Sequence, residues 1–124
     1  MRKQYHFRKV AKDTWIWDVD QLIHESANFP VIKILLDDIQ ELNESYWFPN
    51  QFPTTLQLIE HFKLVEDAEL SYPIIICPEG RIMDGMHRVA KARMLNLSTI
   101  QAVQFKDMPH PDFINVDEDD LNYD

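Results

Sequence analysis

Apolar residues along this chain come in short, separated groups, and each group implies an element. The first clear group is Val19, Leu22 and Ile23. It follows Asp18 and Asp20, either of which can cap a short helix ending near Asn28. Residues 4–10 carry no comparable signal and read as an extended arm. Pro30 precedes VIKILL, whose Val and Ile content predicts a strand with Val31, Ile32, Ile34 and Leu35 largely buried. The polar and aromatic stretch LDDIQELNESYWFPNQFP, with its two prolines, predicts a connection holding one irregular helical turn.

The second helix has the best start signal. Thr54-Thr55-Leu56-Gln57 fits a capping box, and Leu56, Ile59, Phe62 and Val65 follow at spacings of three, reading as one apolar face. That helix should end before Ser71-Tyr72-Pro73. PIIIC reads as a fully buried strand, Pro78-Glu79-Gly80 as a hairpin tip, and RIM as the start of a return strand. Asp84 suits the N-cap of a third helix from about Met86 to Leu95, with Val89, Ala92 and either Arg93 or Leu95 sharing a face and Ala90 beside it. STIQAVQF is the last expected strand. The Pro- and Asp-rich tail that follows carries Phe113, Ile114, Val116, Leu121 and Tyr123, so part of it should pack.

Composition narrows the classes. A chain of 124 residues, 45% hydrophobic, suits one domain over residues 1–124 with a modest core. Residues 1–28 form an extension with a short helix, and 107–124 an acidic tail. No apolar run is long enough to span a bilayer, and no apolar signal region follows the basic start. Cys77 is the sole cysteine, so no internal disulfide can form, and a cytoplasmic setting fits. The net charge of −9 is concentrated in the tail, which holds seven acids and no Lys or Arg. Residues 1–106 carry only −2, and five cations (Arg2, Lys3, Arg8, Lys9, Lys12) lie in the first twelve positions. This balance argues against a broad nucleic-acid surface, though it leaves room for a local anion pocket.

Both glycines of the chain, Gly80 and Gly85, flank one short stretch, and the second opens Gly85-Met86-His87-Arg88. Gly80 supplies a positive φ at the hairpin tip. Gly85 stands where a strand passes into a helix, and its missing Cβ would let a ligand approach the backbone. The free amides of Met86, His87 and Arg88 would then meet an anion at the helix N-terminus. Arg88 can add a phosphate fork, and His87 can donate a hydrogen bond or move a proton. Asp84 can orient His87, bind a metal ion or accept a proton from a hydroxyl. Lys91, one turn along, can reach an outer phosphate. The bland alternative is a capped helix with a solvated first turn.

The stretch YPIIICPEGRIMDGMHRVAKARMLNLSTIQAVQF, Tyr72 to Phe105, resembles the core of the ParB/sulfiredoxin superfamily, with VIKILLDDIQEL a looser match to that family's first strand. The whole chain looks most like its small stand-alone bacterial ParB-like members. The resemblance implies an α/β (α+β) fold: a small mixed sheet flanked by helices, with a nucleotide-phosphate loop. Gly85, His87 and Arg88 match the loop glycine, histidine and arginine of sulfiredoxin, which hold ATP phosphates there. Asp84-Gly85-x-His87-Arg88 is also similar to the loop of ADP-dependent free-serine kinases. In those enzymes the aspartate acts in phosphoryl transfer and an upstream glutamate, here Glu41 or Glu44, contacts substrate.

Two departures limit what carries over. Sulfiredoxin needs a cysteine where this chain has Met86, so sulfinic-acid reduction is not expected. A partitioning ParB carries a DNA-reading domain, for which the roughly twenty residues after the last expected strand leave no room. Among other candidates, the five histidines show no metal-ligand spacing, so no metal site of the protein's own is expected. Tyr46-Trp47-Phe48 suits a core or loop cluster better than base stacking, and Asp117–Asp120 a solvated end. The expected function is binding of a nucleotide (ATP, ADP or CTP with Mg2+) or another phosphorylated small molecule at Asp84–Arg88, with phosphotransfer or nucleotide hydrolysis as the enzymatic form. Gly85, Met86, His87, Arg88 and Lys91 would bind, and Asp84, His87, Glu41 or Glu44 would act chemically. The alternative is a non-catalytic module that binds a protein partner; a DNA-binding or nuclease role ranks below both.

Overall fold

The computed structural model describes residues 3–124, so Arg2 of the basic start lies outside the described residues. The described residues form a mixed α+β structure with seven strands in two sheets and three α-helices. The sheet that carries the loop has the order β3 (Ile32–Leu35), β6 (Thr99–Gln104), β4 (Ile74–Ile76), β5 (Ile82–Asp84). It is mixed, as expected: β4 and β6 run parallel, and the outer pairs are antiparallel.

Strand alternation divides its side chains between two cores. Ile74, Ile76, Ile82, Ile100 and Ala102 face one side, where Leu36, Ile39, Met86, Val89 and Ala92 complete the cluster. Ile75, Cys77, Met83, Val103 and Phe105 face the other, against Trp17 and Leu22. Burial on both faces is why PIIIC is an unbroken apolar run. Met86, Val89 and Ala92 lie on α3 (Met86–Met94), which covers the first face.

The second face is covered by structure built from the two ends of the chain. β1 (Tyr5–Val10) and β2 (Asp13–Asp18) form a hairpin, and β7 (Phe113–Ile114) adds to β2 from the tail. Within the stretch read as an extended arm, Tyr5–Val10 is thus a paired strand, and Thr99–Gln104 is not the last strand. Further links hold the tail. Trp17 Nε1 donates to the Pro109 carbonyl at 3.0 Å, the Asp18 amide donates to Asp112 Oδ2 at 2.8 Å, and the Tyr5 hydroxyl donates to the Asn122 carbonyl. Leu121 is buried.

The helix α1 (Val19–Glu25) is capped by Asp18, whose carboxylate accepts from the Asp20 amide. It buries Val19 and Leu22, whereas Ile23 is exposed. In VIKILL the burial differs from the expectation. β3 is an edge strand, so Val31, Ile32 and Leu35 are exposed, and the buried residue is Leu36, the first of a 3-10 turn.

α2 (Thr55–Asp67) begins with the expected capping box between Thr54 and Gln57. Its apolar side chains, however, face solvent: Leu56 is 65% and Phe62 59% exposed, and Val65 alone of the expected face is buried. The reason is geometric. At 3.6 residues per turn, steps of three drift around the helix, so nine residues after Leu56 the chain points the opposite way. The inward row is Gln57, His61 and Val65, at spacings of four. No helix among the described residues is long and apolar enough to cross a membrane.

Candidate functional site

The loop from Asp84 to Arg88 joins β5 to α3. Gly85 is the N-cap of α3, not Asp84, and its backbone is left-handed at φ 115°. The space its missing side chain leaves is taken by the protein. A Cβ there would lie 2.5 Å from Ile74 Cγ2 and 3.0 Å from Arg88 Nη2. The glycine therefore serves close packing of the loop on β4. No side chain caps the α3 N-terminus, and the first backbone bond of the helix runs from the Val89 amide to the Gly85 carbonyl.

Asp84 is free of capping duty because it holds Arg88. Arg88 Nη2 donates to Asp84 Oδ2 at 2.9 Å, and Nη1 donates to the carbonyls of Tyr72 and Pro73 at 2.9 and 2.8 Å. The guanidinium thus ties the loop to the start of β4. Burial pushes the Asp84 carboxyl above the usual carboxylate range, and Arg88 opposes that shift.

Asp84, Gly85, Met86, His87 and Arg88 all line a cavity of about 790 Å³. Val19, Phe29, Ile75 and Val103 give it an apolar floor. Its charged lining is Lys3 and Arg88 against Asp20, Asp67, Glu69, Asp84 and Asp124. Both cations are already paired: Lys3 with Asp18 at 2.9 Å, and Arg88 with Asp84. The wall is therefore acidic overall, which favours a ligand that brings positive charge with it.

Three expected residues lie elsewhere. Lys91 is not in the cavity wall; its ammonium donates to the carbonyls of Glu66 and Ala68 at 2.8 and 2.7 Å, closing the C-terminus of α2. Glu44 forms a two-point bridge to Arg81, with Oε2–Nη1 at 2.7 Å and Oε1–Nη2 at 2.8 Å. Glu41 is buried at 1% exposure, where Oε2 accepts from the Ile82 amide and Oε1 has no partner among the described residues. Neither glutamate lines the cavity. Glu41 and Asp84 do act on one common group: burial raises the Tyr46 phenol to about 12, and Glu41 and then Asp84 add to that shift.

His87 makes the site's least expected contact. Its Nε2 lies 2.8 Å from His61 Nδ1, and both rings stack on the indole of Trp47, at 4.6 Å for His61 and 4.7 Å for His87. Burial, then His61, brings the His87 imidazole down to about 4; burial also lowers His61. Both rings are neutral at pH 7. No spacing signal marks this trio. His61 is separated from His87 by 26 positions and sits on the face of α2 that looks polar.

No group of three or more His, Cys, Asp or Glu among the described residues is placed to hold a metal ion. Cys77 is fully buried, with its thiol 3.3 Å from Glu79 Oε2. No family model, curated protein or solved structure matches this chain.

Proposed function

We propose that the Asp84–Arg88 loop binds the phosphate of a nucleotide or another phosphorylated small molecule within the cavity that it lines. The observation that carries this reading is the placement of an uncapped helix start, Gly85 to Arg88, in the wall of a cavity large enough for such a ligand. The likeness of the loop to ParB/sulfiredoxin phosphate loops supports it. The ligand would enter as its magnesium complex, because the five carboxylates outnumber two cations that are already paired and would repel a bare polyphosphate. The donor set offers no three-residue metal cage, so magnesium would be held mainly by phosphate, with Asp84 as the loop's own carboxylate. In an enzymatic form, Asp84 would act as base or metal partner and the α3 amides would hold the transferring group.

Calorimetric titration with ATP, ADP, CTP and GTP, with and without magnesium, tests this. One nucleotide should bind in the presence of magnesium, and Asp84→Asn should weaken it at least about tenfold, the equivalent of about 1.4 kcal/mol. Absence of binding by all four, or equal binding by Asp84→Asn, would overturn the reading.

The exposed apolar side of α2 favours a second reading, a module that docks a protein through Leu56, Ile59 and Phe62. It requires that Phe62→Lys abolish a complex whose formation is indifferent to Asp84→Asn. A partner bound equally by both variants would sink it.

A further inference from the structure

His61 and His87 come from different helices, yet their rings lie nearly in one plane, 18° apart with centroids at 5.1 Å. The shared surface beneath them is Trp47, tilted 24° from His61 and 14° from His87. Phe48 closes the edge of His61 at 5.1 Å and 84°. An aromatic floor and a closed edge leave each ring little freedom to rotate out of plane. Two nitrogens held at 2.8 Å in a common plane make an N–H···N hydrogen bond, which needs one proton and one lone pair.

We infer that His61 is the positioning residue for His87: it ties the tautomer of the cavity-wall histidine to its own and shares its proton. The bond allows two neutral states. When His87 donates from Nε2, His61 must carry its own proton on Nε2, and His87 Nδ1 is left with a lone pair. When His61 donates from Nδ1, His87 must carry its proton on Nδ1. In both states the two rings hold the same tautomer. One added proton gives an imidazole–imidazolium pair with the bond intact; a second breaks it, because both facing nitrogens are then donors.

The arrangement gives His87 a route for a proton. A ligand hydroxyl brought to His87 Nδ1 can pass its proton there while the Nε2 proton moves to His61 Nδ1. His61 then releases its own Nε2 proton to solvent. The ligand is left as an alkoxide, the rings return to a neutral pair in the other tautomer, and the charge leaves as one solvated proton. This transfer rests on the proposed ligand site; the pairing itself does not. The charged groups around the pair are few. Glu60 on α2 acts on His61, and the flanking Asp84 and Arg88 are paired with each other.

Ring-nitrogen correlation NMR of the ligand-free protein through a pH titration tests the pairing. In the wild type, His61 and His87 should show the same tautomer, or the same mixture of the two, and the pair should titrate in two steps more than about one pH unit apart. His61→Ala should move the His87 tautomer ratio away from the wild-type value and leave a single midpoint nearer the ordinary histidine value. His61→Asn, whose amide can donate to or accept from His87 Nε2, should keep a hydrogen bond there and hold the midpoint away from its His61→Ala value. Two wild-type rings titrating independently, with tautomer ratios that differ from one another, would overturn the inference without use of any variant. So would a His87 signature unchanged in His61→Ala. Because no ligand is present, neither outcome depends on whether a nucleotide binds.

Discussion

Gly85 is under two independent constraints. Its φ of 115° is costly for any residue with a Cβ, and the Cβ itself would collide with Ile74. Gly80 also has a positive φ, 83°, but nothing lies within 4 Å of where its Cβ would be. Gly85→Ala should therefore cost about 3 kcal/mol or more, summing backbone strain and overpacking, against about 1–2 for Gly80→Ala. Urea unfolding of the two variants checks the difference; equal losses would show that the Ile74 contact relaxes freely. His6 makes the pH case. Burial, then Arg8, lowers it to about 3, and its Nε2 has no partner among the described residues. The unfolded chain thus binds a proton that the folded chain refuses, from the ordinary histidine value of 6.5 down to about 3. Stability is full above that window and falls as pH drops through it; His61 and His87 act in the same direction. His6→Phe keeps an aromatic ring, removes the orphan nitrogen, and should gain about 1 kcal/mol at pH 7 while flattening the loss towards pH 4. An unchanged slope in urea midpoint against pH would contradict this.

At the scale of elements, sequence pattern succeeded where one element's own chemistry decides the outcome. The Thr54–Gln57 box, the PIIIC strand, the hairpin at Gly80 and the Val89–Ala92 pair of α3 needed no partner to be recognised, although Arg93 and Leu95, read as options for the same face, are exposed. It failed where a neighbour decides. β3 has the composition of a buried strand but stands at an edge, and α2 turns a row of Gln57, His61 and Val65 inward because α3 supplies the partners, His87 and Lys91 among them. The site divides the same way. The Asp84–Arg88 loop was legible as a local motif, whereas Trp47 and His61 were not, since no periodicity links residues that meet only through helix packing. The rotation of α2 has a measurable consequence. Phe62→Lys should change stability by less than about 0.5 kcal/mol, and Val65→Ala should cost about 2. Thermal unfolding that ranks them in the opposite order would place the helix differently on the core.

For the molecule as a whole, the two ends matter most. The tail packs in part, as its apolar residues implied; what they did not show is that Phe113-Ile114 adds a strand to β2. The N-terminal hairpin escaped notice because residues 4–18 mix charges with aromatics and carry no glycine at the turn; Ala11 takes the positive φ there, at 55°. Together they wall the second core, and Lys3 and Asp124 reach the rim of the cavity at the loop. The proposed phosphate site lies in this cavity at the start of α3. Amide NMR of the labelled protein, titrated with the magnesium complexes of ATP, ADP, CTP and GTP in turn, locates any binding directly. One of them should shift the amides of Met86, His87 and Arg88 most, together with cavity-lining residues such as Phe29 and Val103. Shifts confined to the exposed face of α2, or no shifts with any of the four, would contradict it.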